Sequence, residues 1–183
     1  MAAAPAQLQL RLPRGLLDPG MRDLGCGDGD GLVAVRLQLA DGRIAAITAA
    51  APGPVGDAAP PLAITPPVDA HVHLDKAFSW GAFPNRDGTM AAALALNLQE
   101  GEQRSLAQVL ERGERALEQA WRYGLRALRS HVDSGGPCAE PSWEGLLELQ
   151  HRWRGRVELQ LVALVPVGHW RTADGEAFAA WVA

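Results

Sequence analysis

A short apolar run that ends in two histidines one residue apart constrains this chain most: Pro66-Pro67-Val68-Asp69-Ala70-His71-Val72-His73-Leu74-Asp75-Lys76. Side chains alternate along a strand with period two, so His71 and His73 are predicted to leave the same face. Two imidazoles so placed can reach one metal ion, at about 2.0–2.1 Å for zinc. Asp75 and Lys76 fall just past the predicted strand end. A buried strand with two polar residues near its exit remains the plain alternative, because the pair alone does not define a coordination sphere.

Beyond this stretch the hydrophobic period switches repeatedly between helix and strand. A loop over Ala77–Thr89 carries Trp80, Phe83 and Asn85. Met90–Gln99 and Ser105–Tyr123 have helical spacing, and Gly124 is placed to end the second helix. In that helix Leu106, Val109, Leu110, Ala116, Leu117, Ala120 and Trp121 form an apolar stripe. Its glutamates and arginines read as a solvated face. Leu125–Val132 is strand-like, with His131 near its end and Asp133 beyond. Ser142–Arg152 is predicted helical with His151 on the polar side, Val157–Val165 is a strand, and Glu176–Val182 starts a helix. Strands and helices thus alternate along this part of the chain.

Residues 1–65 read differently. Leu8–Leu12 alternates as a half-buried strand does, and Leu32–Leu39 and Arg43–Thr48 flank Ala40-Asp41-Gly42, a hairpin signal. Gly25–Gly31 reads as a plain turn; it lacks the Gly-Lys-Ser/Thr ending of a phosphate loop and the glutamate of a calcium loop. Ala49–Pro61, rich in alanine, proline and glycine, reads as a linker. Two domains are therefore expected, 1–65 as a small β-domain with its linker and 66–183 as the α/β part.

Ile64–Asp75 resembles the first barrel strand of the amidohydrolase superfamily. Lys76, Phe83-Pro84-Asn85 and Gly88-Thr89 narrow the resemblance to its cytosine deaminase-like branch. Leu125–Asp133, ending Arg129-Ser130-His131-Val132-Asp133, is similar to that branch's second strand, and Val157–Ala163 to its third. The resemblance implies an incomplete (β/α)₈ TIM-type barrel, its first three strands, preceded by the small β-domain. It implies one divalent metal, zinc or iron, that activates water to displace an amino group from a cytosine-like heterocycle. On that model His71 and His73 are metal ligands, and His131 and Asp133 line the substrate side. Trp80, Phe83 and Asn85 belong to the mouth, where strand-end loops build such sites. An aromatic face there can stack on a flat ring or simply pack the loop down.

The family takes a third histidine, a catalytic glutamate, another histidine and a metal-binding aspartate from later strands. Only His131, His151 and His169 remain here, none in a matching motif, so no catalytic residue is assigned. A barrel of this kind needs about 250 residues. The chain thus reads as the front part of an enzyme, expected to be inactive alone. Val165-Pro166-Val167 stands where cytosine deaminases carry a pyrimidine-reading glutamine, which argues against cytosine itself. A reading of another class is a non-catalytic partial barrel that associates with a second copy or a complementing chain, or a non-functional fragment.

Composition excludes several functions. The net charge of -4 over 183 residues gives no footprint for nucleic acid or an acidic membrane. Cys26 and Cys138 lie far apart, without zinc-knuckle or disulfide-framework spacing. No apolar run reaches membrane-span length, and Met1–Pro5 lacks the basic flank of a signal peptide, which predicts a cytoplasmic protein; the small-molecule substrate is what the resemblance implies.

Overall fold

Residues 6–21, 23–25, 27–51 and 59–182 are described by the computed structural model. Met1–Pro5, Cys26 and residues 52–58 of the expected linker lie outside the described residues. The chain divides into two compact units, Met1–Thr65 and Pro66–Ala183.

The first unit is a three-stranded antiparallel sheet in the order β1 (Ala6–Pro13), β2 (Leu32–Ala40), β3 (Arg43–Ala49). Ala40 pairs with Arg43, so the hairpin loop is Asp41-Gly42. Both loop residues have positive φ, 50° and 72°, the left-handed conformation of a turn that matches strand twist. Before β2, Asp28 Oδ1 accepts hydrogen bonds from the amides of Asp30 and Leu32, closing a local turn. Alternation on β2 turns Val33, Val35 and Leu37 inward, where they pack with Leu17.

The second unit is a parallel sheet in the order β4 (Val68–Val72), β5 (Ala127–Asp133), β6 (Glu158–Leu164). Two helices, α1 (Met90–Gln103) and α2 (Leu106–Arg122), separate β4 from β5; α3 (Ala139–Trp153) separates β5 from β6, and α4 (Ala173–Val182) follows. The unit is thus α/β, with every strand followed by helix. Ser105 caps α2 through a reciprocal box with Gln108, which is why that helix starts where it does. Gly124, at φ 84°, turns the chain out of it.

Several element boundaries differ from the sequence pattern, among them the start of α4 at Ala173 rather than Glu176. Helix α1 runs to Gln103 rather than Gln99, because Glu100 and Gly101 are buried and continue the helix inward. Helix α3 begins at Ala139, and Pro141 fits its first turn, where a missing amide costs nothing. Strand β4 stops at Val72, leaving His73 one residue past the pairing.

The core lies between the sheet and α2 and α3. Val109 and Leu117 of α2 meet Leu146, Leu149 and Trp153 of α3 and Leu128, Val132 and Leu159 of the strands. On β5, Leu128, Ser130 and Val132 face this core, which turns Arg129 and His131 to the other face. Trp121 of the predicted stripe is exposed, with Arg126 lying over its ring.

Candidate metal centre

Parallel pairing puts the carboxyl ends of β4, β5 and β6 at one edge of the sheet. Asp69 pairs with Leu128 and Val72 with Ser130, so three steps on β4 match two on β5. This one-residue bulge breaks the strict alternation expected around His71. The imidazoles nevertheless meet. The rings of His71 and His73 are 5.3 Å apart, centre to centre, and inclined by 60°.

Cross-strand bonds replace the missing ladder at this end. His73 Nδ1–H donates to the carbonyl of His131 at 2.8 Å. The amide of Leu74 donates to Ser130 Oγ at 3.1 Å, and the amide of Asp133 donates to Asp75 Oδ2 at 3.0 Å. The His71 ring lies against His131, with centres 4.0 Å apart. The imidazoles of His71, His73 and His131 are therefore one cluster, and Asp133 joins the end of β5 to Asp75 beside it.

Below the histidines is a buried charge network. Asp75 is fully buried; its Oδ2 accepts from Arg104 at 2.8 Å, while its Oδ1 has no protein partner. Arg104 also reaches Asp133 Oδ2 at 3.1 Å, Ser142 Oγ at 2.9 Å and the carboxylate of Glu100. Lys76 Nζ donates to both oxygens of Asp133 at 3.0 Å. Arg112 closes the set on Glu100 Oε1 at 2.6 Å. Three carboxylates face three cations. Arg112 is consequently an ion-paired residue, a correction to the reading of α2's charges as a solvated face. Glu100 and Arg104 were missed altogether; their one sequence signal is an acid–base pair four apart at a helix end.

The network sets the protonation states. Burial disfavours the charged form of His73, Lys76 lowers it further, and its pKa falls below the ordinary 6.5. A neutral imidazole results, as a metal ligand requires. Burial pushes the Asp75 carboxyl up, only partly offset by Arg104. For Asp133 burial acts upward too, but the hydrogen bond and charge of Lys76, aided by Arg104, outweigh it and hold the carboxyl low.

The donor set fits two of a metal's ligands. Two imidazoles on one tetrahedral zinc at about 2.0–2.1 Å have ring centres roughly 5 Å apart, close to the 5.3 Å found. With Nδ1–H committed to a carbonyl, His73 presents the lone pair of Nε2, the usual way an outer bond fixes a ligand's tautomer. Among the described residues no group of three or more His, Cys, Asp or Glu side chains is arranged to hold an ion. The fit is to part of a coordination sphere.

The loop residues lie elsewhere. Asn85 is folded onto its own loop: its Nδ2 donates to the Thr89 carbonyl and its Oδ1 accepts from the Gly88 amide. Phe83 and Asn85 line a small cleft with Ala93, Leu96, Asn97 and Glu100, lined by none of the histidines. Trp80 is exposed, 63% of its surface being free. No helix among the described residues is long and apolar enough to cross a membrane.

No family model matches the sequence. Over 143 residues it is 32% identical to a pterin deaminase of Rhizobium rhizogenes strain K84, covering 75% of this chain and 33% of that protein. The structure superposes on 5-methylcytosine deaminase from Klebsiella pneumoniae, liganded with 5-fluorocytosine or with phosphonocytosine. In both cases the TM-score is 0.66 at 25% identity, over 86% of this chain and 36% of that one. The chain spans about a third of the length of the relatives it matches. It is related, over that third, to the cytosine deaminase-like amidohydrolases.

Proposed function

We propose that this chain carries the first metal half-site of a hydrolytic deaminase that removes an exocyclic amine from a nitrogen heterocycle. The observation that carries the reading is the His71–His73 pair, held at ligand spacing with His73 Nδ1 committed to the His131 carbonyl. Three strand–helix units with aligned carboxyl ends support a partial TIM-type barrel, whose chemistry sits at that edge.

His71 and His73 would hold a divalent ion, zinc or iron, which when bound supplies an acidified water at neutral pH. His131 and Asp133 flank the same edge and are the groups proposed to orient the substrate. Asp133 is a poor proton donor to a leaving amine, because Lys76 and Arg104 keep it ionised. Asp75 is buried and bound to Arg104 and a backbone amide, out of reach of a substrate. The proton-transfer group, and with it turnover, is therefore sought outside these two carboxylates.

A pterin-like bicycle is the favoured substrate class. The pterin deaminase is more similar in sequence than the 5-methylcytosine deaminase, and Val165-Pro166-Val167 lacks an amide to read a pyrimidine. Elemental analysis of the purified chain beside a His71→Ala, His73→Ala double variant tests the site. Zinc or iron near one equivalent, lost in the variant, is expected; a metal-free wild type or an unchanged variant removes the reading. Titration of the metal-loaded chain with a pterin and with cytosine, followed by tryptophan fluorescence, separates the substrate classes.

A further inference from the structure

Arg104 lies outside the motif around the histidines, at the junction of α1 and α2, yet its buried guanidinium bonds to groups on either side of them. One arm binds Asp75, two residues past His73; the other binds Asp133, two residues past His131. Asp75 Oδ2 also takes the Asp133 amide, so Arg104, Asp75 and Asp133 form a closed ring of bonds. That ring sits at the bulged end of β4, where ladder pairing has ceased after Val72. Only Leu74 separates His73 from the ring, so a rotation at Asp75 is carried into the imidazole and into its bond with the His131 carbonyl.

We propose that Arg104 is a positioning residue for the His71–His73 pair, acting through Asp75 and Asp133 to fix the end of β4 against the end of β5. The inference rests on the metal-site reading above. Glu100 and Ser142 hold the guanidinium in place, and Arg112 holds Glu100. A planar fork with five fixed donors can serve four acceptors in different directions at once. An ammonium group at the same place keeps the charge and loses the geometry. This separates positioning from simple charge balance.

The test compares Co²⁺ affinity and the visible spectrum of bound Co²⁺ in the full chain, in Arg104→Lys and in Asp133→Asn. Metal-free NMR of the His73 ring nitrogens is recorded alongside. Both variants are expected to bind Co²⁺ about 10- to 100-fold more weakly, as loss of an outer-shell partner does, with a changed spectrum. In the metal-free state the single His73 tautomer is expected to give way to a mixture. Gly145→Ala, a core variant in the α2–α3 contact, serves as a destabilised control and should keep wild-type affinity. If the wild type binds no Co²⁺, the metal-site reading fails first and takes this inference with it. If the wild type binds and either folded variant matches it within twofold, with one His73 tautomer, the role assigned to Arg104 is wrong. Collapse of both variants to unfolded chains also overturns it, since the network would then serve stability alone.

Discussion

Asp133 stands between two cations, and the balance at this one carboxylate decides how the site responds to acid. Lys76 and Arg104 hold its pKa below the ordinary aspartate value of 3.8, against the upward pull of burial. A carboxyl depressed on folding adds stability that is present above its unfolded pKa and lost as pH falls through the folded one. The stability gap between wild type and Asp133→Asn should therefore be widest above about pH 5 and shrink as pH falls below the unfolded value near 3.9. Urea unfolding of both proteins from pH 6 to pH 2.5 reads this; a gap that stays constant or widens in acid contradicts the assignment. Asp75, raised by burial, works in the opposite direction, and carbon NMR should find it titrating above Asp133. The residue scale also shows where sequence reasoning stops. His71, His73 and His131 were legible because their spacing near predicted strand ends is local. Arg104 was not, because its partners Asp75 and Ser142 are 29 and 38 residues away and no periodicity links them.

At the scale of elements, α2 and α3 approach one another through two glycines that no apolar pattern singles out. A Cβ built on Gly113 would lie 2.3 Å from Leu149 Cδ1, and one on Gly145 would lie 2.6 Å from Val109 Cγ1. The obstacles differ in kind. Leu149 meets Gly113 with the tip of a two-torsion side chain, whereas Val109 is β-branched and has one favoured rotamer in a helix. Replacing glycine by alanine inside a helix gains about 1 kcal/mol of propensity, against about 1–3 kcal/mol for overpacking a filled core. Gly145→Ala should thus lower the unfolding free energy by up to about 2 kcal/mol, and Gly113→Ala by clearly less. Urea midpoints of the two variants would test the order, and a reversal would mean that the Leu149 site is the stiffer. Hydrophobic period found these helices and the parallel strands between them. It missed the glycine contact, since a glycine in an apolar stripe looks like a gap until the facing helix is known. It also placed His73 within a regular strand, because a bulge on β4 leaves no mark in the pattern.

The molecule has two separate cores, and they differ in size. The first unit buries Leu17, Val33, Val35 and Leu37 beneath three strands, near the minimum for a sheet that must stand alone. In the second, eleven buried apolar side chains from Leu74 to Leu159 pack into one cluster among the described residues, two tryptophans among them. Each residue of the histidine cluster and of its charge network, from His71 to Ser142, belongs to this second unit. Burial of apolar surface is the dominant favourable term in folding, so the two units should differ widely in intrinsic stability. A polypeptide of residues 66–183 is therefore expected to fold cooperatively and to bind Co²⁺ with the affinity and spectrum of the full chain. One of residues 1–65 should unfold at much lower urea. Circular dichroism and the same Co²⁺ titration on the two pieces decide it. If the 66–183 piece folds but loses the ion, the first unit supplies something to the centre that its own residues do not show. If it fails to fold, the larger core depends on the smaller.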